Sequence, residues 1–190
     1  EEVEKALAKI FREKVRVYGS GRTDAGVHAL GQVAHFESIK SISTDGIRAG
    51  GNSHLPSAIR IIEAEEVSPY FHARYSARGK VYRYRIYRRE TLSPFYRNRA
   101  YHYSYPLNPA AVERAIDHFR GRHDFQALAA AGSSVEDTVR TLKRIEMKDA
   151  GDLLDFEFEG DGFLYKMVRN LVGTLLEAGR KKIAPDDIHD

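Results

Sequence analysis

From Lys80 to Arg88 the chain reads Lys-Val-Tyr-Arg-Tyr-Arg-Ile-Tyr-Arg, with Tyr82, Tyr84 and Ile86 alternating with Arg83 and Arg85. A period of two is that of a β-strand, whose successive side chains face opposite ways, so the segment calls for a sheet with one apolar and one charged side. The downstream residues fit such a sheet. Asn108 stands as N-cap to a helix that has Pro109 at its first position and closes at Gly121. Strands near 139–148 and 153–159 flank the hairpin turn Asp149-Ala-Gly-Asp152, and a helix over 164–178 ends with Gly179 as its C-cap. Strand, helix, strand, strand, helix is the split βαβ order. Upstream, Val3, Ala6, Leu7, Ile10 and Phe11 fall at helical spacing, strands are predicted near 14–18, 32–37 and 58–67, and Ser68-Pro69 punctuates the chain. The predicted halves are 1–69 and 70–190.

The second constraint is chemical. Residues 19–28 read Gly-Ser-Gly-Arg-Thr-Asp-Ala-Gly-Val-His, a strand-ending loop in which Asp24 lies two positions after Arg22, among Gly19, Gly21 and Gly26. Glycines there take positive φ or leave room for a ring or sugar. A plain turn explains these ten residues as well as an active site does. A dinucleotide fingerprint would need a third glycine where Asp24 stands, and a carboxylate would repel a pyrophosphate. A P-loop would need Gly-Lys followed by Ser or Thr, which is absent here.

The longer stretch Gly21-Arg-Thr-Asp-Ala-Gly-Val-His-Ala29, followed by Gly31-Gln-Val-Ala-His-Phe36, resembles the signature of the TruA-type tRNA pseudouridine synthases. Further pieces agree in the same order: Phe71-His-Ala-Arg-Tyr-Ser-Ala77, Tyr82-Arg-Tyr84, Gly121-Arg-His-Asp-Phe125, Val139-Arg-Thr141 and Gly162-Phe-Leu-Tyr-Lys-Met-Val-Arg-Asn-Leu-Val-Gly173. The resemblance implies isomerisation of uridine to pseudouridine in the anticodon stem-loop of tRNA, without metal or organic cofactor. It implies an α+β fold of two fused ferredoxin-like, RRM-like halves, forming an extended antiparallel sheet with helices on one face and a central cleft. It also implies a homodimer; the expectation of a soluble chain in the cytoplasm rests separately on the sequence, which shows no N-terminal charged-then-apolar signal segment. The family's first strand and its last helix and strand have no counterpart here, so the chain is expected to be a fragment or an incomplete enzyme.

By the same resemblance, Asp24 is the catalytic aspartate and Arg169 the cation that pairs with it and keeps it ionised. Arg22 helps displace the target nucleotide, whose extrusion costs a few kcal/mol. Tyr82 stacks on the uracil, and Phe163 and Leu164 wall its pocket. Read without the family, Arg169 is a snorkelling surface residue and the tyrosines are core.

Charge adds a less specific signal. Net charge is only +3, yet Arg74, Arg78, Lys80, Arg83, Arg85, Arg88, Arg89, Arg97 and Arg99 stand against the single acid Glu90. Interleaved with Tyr75, Tyr82, Tyr84, Tyr87, Phe95 and Tyr96, they suit single-stranded RNA, with Arg74 and Arg78 as substrate-binding residues. A solvated strand face with core tyrosines is the bland alternative, and a non-catalytic RNA-binding scaffold or a small-molecule glycosidase are the competing classes. The chain has no cysteine, which excludes disulfides and thiolate metal sites, and its eight histidines lack metal-ligand spacing. Lys166, Arg169, Asn170 and Glu177 interrupt the apolar stretch at Leu164–Ala178, which reads as an amphipathic helix and not a membrane span.

Overall fold

The computed structural model describes residues 1–130 and 136–189. It is α+β. Its described helices are α1 (Glu2–Phe11), α2 (Thr44–His54), α3 (Pro109–Phe119) and α4 (Met167–Gly179). The strands are β1 (Tyr18–Gly19), β2 (Ala34–His35), β3 (Lys80–Tyr87), β4 (Tyr101–His102), β5 (Gly121–Asp124), β6 (Val139–Ala150) and β7 (Leu153–Gly160). Contacts divide the chain into two compact units, Glu1–Ala77 and Arg78–Asp190. No described helix is long and apolar enough to cross a membrane.

The second unit carries a five-stranded sheet in the order β4-β3-β7-β6-β5. β7 lies between β3 and β6 and is antiparallel to both, so β3 and β6 run parallel, with α3 as the crossover between them. That is the split βαβ topology the element order predicts. Asn108 caps α3 as expected, its Oδ1 accepting from the Ala111 N–H at 3.1 Å. Gly151 takes φ +74° in the β6–β7 turn. Gly179 is the last residue of α4, and Arg180 follows it as the cap. The core lies between one sheet face and both helices, with Ile86, Ile145, Phe156, Phe158, Ile116, Met167 and Leu171 all fully buried. Two strands escaped the sequence reading, β5 and the two-residue β4. β4 pairs with β3 in parallel and makes the sheet mixed, where an antiparallel one was expected. Neither has enough residues to show a period.

The first unit has less regular structure than its sequence suggests. α1 packs with α2 around Leu7, Phe11 and Val15, flanked by Ile10, Phe36, Ile42 and Ile47. α2 was not predicted. Its capping residue Ser43 is a fair signal, the Oγ accepting from the Gly46 N–H at 3.1 Å, but Gly46, Gly50 and Gly51 depress helix propensity and mask it. The predicted strands at 14–18 and 32–37 shrink to β1 and β2, paired Tyr18 to His35 and Gly19 to Ala34. No strand forms over 58–67, because a ladder needs a neighbour and none is described beside it. One side chain substitutes locally: Asn52 accepts from the Ile61 N–H and donates to the Ile61 carbonyl, each at 2.8 Å.

The face of the larger sheet opposite the helices is a lattice of ion pairs. Arg83 sits opposite Glu157 in the register and donates to it at 2.6 and 2.9 Å, and Arg85 grips Asp155 with two nitrogens at 2.8 and 2.7 Å. Glu146 faces Glu157 across β6–β7, a like-charge pair that Lys148 bridges from both sides. The Lys148 ammonium and the Arg83 guanidinium hold the Glu157 carboxyl at about 2, below its ordinary 4.5. Because the folded value is depressed, this pairing stabilises the fold above about pH 4.5 and is lost as pH falls through about 2. Arg83 and Lys148 are 46% and 54% exposed, so the contribution is modest. Glu157→Gln should cost about 1 kcal/mol at neutral pH. In thermal melts its difference from wild type should shrink steadily between pH 4.5 and 2; a gap independent of pH would mean the charge is not what matters.

Candidate active site

Asp24 is half-buried at the head of a tight turn within a loop that leaves β1 and returns at β2. The Val27 N–H donates to the Asp24 carbonyl at 3.0 Å, and Gly26, third in the turn, takes φ +81°. Positive φ at that position is the type II pattern, which glycine adopts without strain. Of the three glycines singled out from sequence, Gly26 is the one with positive φ; a Cβ on Gly19 would make only ordinary contacts. The base of the loop is latched. The Ser20 N–H donates to the Val33 carbonyl at 2.8 Å, Gln32 Nε2 donates to the Gly21 carbonyl at 2.8 Å, and Ser20 Oγ donates to Gln32 Oε1 at 2.7 Å. Gln32 has no chemical signature as a latch, since its partners, one hydroxyl and one backbone carbonyl, lie about a dozen residues away. Arg22 is exposed on the same loop.

In the second unit, Arg169 is exposed in the first turn of α4. A cation at a helix N-terminus opposes the macrodipole at a cost of about 0.3–1 kcal/mol, so helix stability does not explain it. The helix begins three residues later than the sequence suggests, because Lys166 adopts a left-handed conformation, φ 59°, and turns the chain into the helix. This entry is anchored from outside: Asn170 Nδ2 donates to the Leu128 carbonyl at 2.9 Å, and the Ala130 N–H donates to the Tyr165 carbonyl at 3.1 Å. Burial pushes the Tyr84 phenol up, and the nearby Arg169 charge works against that rise.

Tyr82 and Phe163 meet edge to face with ring centroids 4.9 Å apart, and Leu164 beside them is buried. Gly160 makes this possible, since a Cβ there would lie 3.3 Å from the Phe163 ring and 3.0 Å from both Leu142 and the Thr141 carbonyl. Tyr82 is half-buried, whereas Tyr84 packs on the core.

The basic run needs a correction. Arg83, Arg85, Arg88 and Arg89 are neutralised by Glu157, Asp155, Asp149 and Asp152, so nearly half of the run is bound into the sheet and its turn. Each partner lies some 60–75 residues away in sequence, visible only once β3 is set against β7. Arg74 and Arg78 are exposed and have no ion pair among the described residues. Those residues include no group of His, Asp and Glu arranged to hold a metal ion.

A sequence model of the family described as tRNA pseudouridine synthase matches residues 1–76 and 115–190. The chain belongs to this family. It is 45% identical over 188 residues to tRNA pseudouridine synthase A of Geobacillus sp. strain WCH70, covering 98% of this chain and 76% of that relative. Similar figures hold for the enzyme of that name from Acetivibrio thermocellus, 45% over 186 residues, with 98% and 76% covered. For the one from Thermoanaerobacter sp. strain X514 they are 42% over 190 residues, with 100% and 78% covered. The chain thus spans about three quarters of the length of these relatives. As a pseudouridine synthase it is an isomerase, and the Asp24 loop and the α4 entry both fall inside the matched segments. For this synthase, Gly26→Ala forces an alanine into positive φ at about 1 kcal/mol. It should lower kcat for pseudouridine formation several-fold, and Gln32→Ala should act in the same direction. Unchanged kcat in both variants would show that the loop needs neither the turn nor the latch.

Proposed function

We propose that this synthase converts uridine to pseudouridine in the anticodon stem-loop of tRNA, with Asp24 as the catalytic carboxylate and Arg22 and Arg169 as supporting cations. Tyr82, Phe163 and Leu164 form the apolar contact for the uracil, and Arg74 and Arg78 hold the RNA backbone. The observation that carries the reading is the Asp24 turn, closed on the backbone by the Val27 N–H bond to the Asp24 carbonyl, which presents a half-buried aspartate at the head of a latched loop.

The chemistry asks little else of the protein. The N1–C1′ bond of the target nucleoside breaks, the uracil turns, C5 joins C1′, and the C5 proton leaves while N1 gains one. An ionised carboxylate beside the sugar can add to it covalently or remove a ribose proton, and it stabilises positive charge in either route. No oxidant, metal or organic cofactor enters the balance. A base paired or stacked in the stem must first be displaced, a step costing a few kcal/mol that RNA contacts offset. The working state we propose is a homodimer on tRNA in the cytoplasm.

Tritium release from C5-labelled uridine in a tRNA transcript tests this directly. The wild-type chain should release label, and Asp24→Asn should abolish release by at least a thousandfold while keeping RNA affinity within a few-fold. Equal release by both proteins would remove Asp24 from the chemistry. RNA binding without release by wild type would leave a non-catalytic RNA-binding protein, the second reading that the exposed Arg74 and Arg78 support.

A further inference from the structure

A column of rings in the first unit ends in solvent. The Arg16 guanidinium lies 5.3 Å from the centroid of Tyr18, and Tyr18 stacks on His35 at 5.2 Å with planes 21° apart. His35 contacts His72 at 4.6 Å, and His72 contacts Tyr75 at 4.3 Å. Tyr75 is 78% exposed, so the column has a cation at one end and an open aromatic ring at the other. Arg74, its exposed neighbour in sequence, has no ion pair among the described residues.

The two imidazoles do more than fill space. His35 Nδ1 accepts from the Ala73 N–H at 3.1 Å, and His72 Nδ1 accepts from the N–H groups of Arg74 and Tyr75 at 3.2 and 3.4 Å. Accepting at Nδ1 requires that this nitrogen carry a lone pair, which puts any single ring proton on Nε2. Ser76 closes the turn, its N–H donating to the His72 carbonyl at 2.8 Å while its Oγ accepts from the His72 N–H at 3.1 Å. Three successive backbone donors are thus held by ring nitrogens from beneath, and the side chains of Arg74 and Tyr75 stay outside. The column is also tied to the candidate catalytic loop, because Tyr18 and His35 are the register pair at its base.

We propose that Tyr75 and Arg74 form a nucleotide-binding step outside the uracil pocket. An unstacked base of the bound RNA extends the ring column on Tyr75, and Arg74 takes a neighbouring phosphate. His72 and His35 are positioning residues for this step. It holds RNA at a fixed offset from Asp24 through the β1–β2 pair. The inference rests on the proposed tRNA substrate. Aromatic rings stack on any base and so give sequence-tolerant affinity, while the guanidinium contributes a salt-dependent contact.

The chain contains no tryptophan, so Tyr75→Trp introduces a single reporter at the end of the column. Its emission should be quenched on titration with a tRNA transcript, and its affinity should match wild type. Tyr75→Phe should also bind normally, while Tyr75→Ala should weaken binding about tenfold and raise KM with little change in kcat. Arg74→Ala should reduce the slope of log affinity against log salt by about 1. His72→Ala should copy Tyr75→Ala, and His72→Asn, whose amide oxygen can accept the same donors, should recover part of the loss. Unquenched emission, or a Tyr75→Ala protein with wild-type affinity, would overturn the stacking step. Equal behaviour of His72→Ala and wild type would overturn the positioning role. Wild type that turns over tRNA while these variants behave normally sinks this inference alone; wild type that neither binds nor modifies tRNA sinks it together with the proposed function.

Discussion

The register of β3 against β7 is the constraint on which the larger unit depends. Setting Tyr84 opposite Phe156 and Ile86 opposite Leu154 buries the apolar residues of both strands under α3 and α4. The same register places Arg83 opposite Glu157 and Arg85 opposite Asp155 on the other face. A slip of one residue would drive guanidinium groups into the core and carboxylates against phenylalanines, so both faces reject it. Few alternative pairings survive two independent penalties. From this sheet the chain passes through Gly160, Phe163 and the left-handed Lys166 into α4, which fixes Arg169 in the first turn of that helix.

The smaller unit positions its chemistry by another route. Its sheet is a two-residue pair, too short to be stable through backbone pairing alone. Side chains compensate: Gln32 latches the Asp24 loop, Asn52 stands in for a strand beside Ile61, and His35 and His72 satisfy the donors of the turn at 73–75. Such bonds hold a loop at a defined place without burying it, which suits a segment that must meet a macromolecular substrate.

Charge is where a linear count misleads most. The run from Arg74 to Arg99 suggests one polyanion-binding surface, yet acidic residues on β7, at the end of β6 and in the β6–β7 turn consume Arg83, Arg85, Arg88 and Arg89. What remains for a phosphate is a smaller set with a different address, of which Arg74 rests on a turn that its own backbone neighbours help to hold.

Much of the second half was legible in the sequence, because its strands are long enough to display a period of two and its helices carry their own boundary signals at Asn108, Pro109 and Gly179. The first half was less so. α2 is rich in glycine, and the apolar segment over 58–67 has the composition of a strand without the partner a strand requires. Periodicity, caps and turn residues are local properties, and they already specify the α+β class, the order of elements in the second half and the loop that carries Asp24. Tertiary structure alone decided which arginines are free and which are paired, that Gln32 latches the loop, and that four rings from Tyr18 to Tyr75 form one column. Those outcomes depend on groups many residues apart, and their proximity follows from packing and not from any local preference.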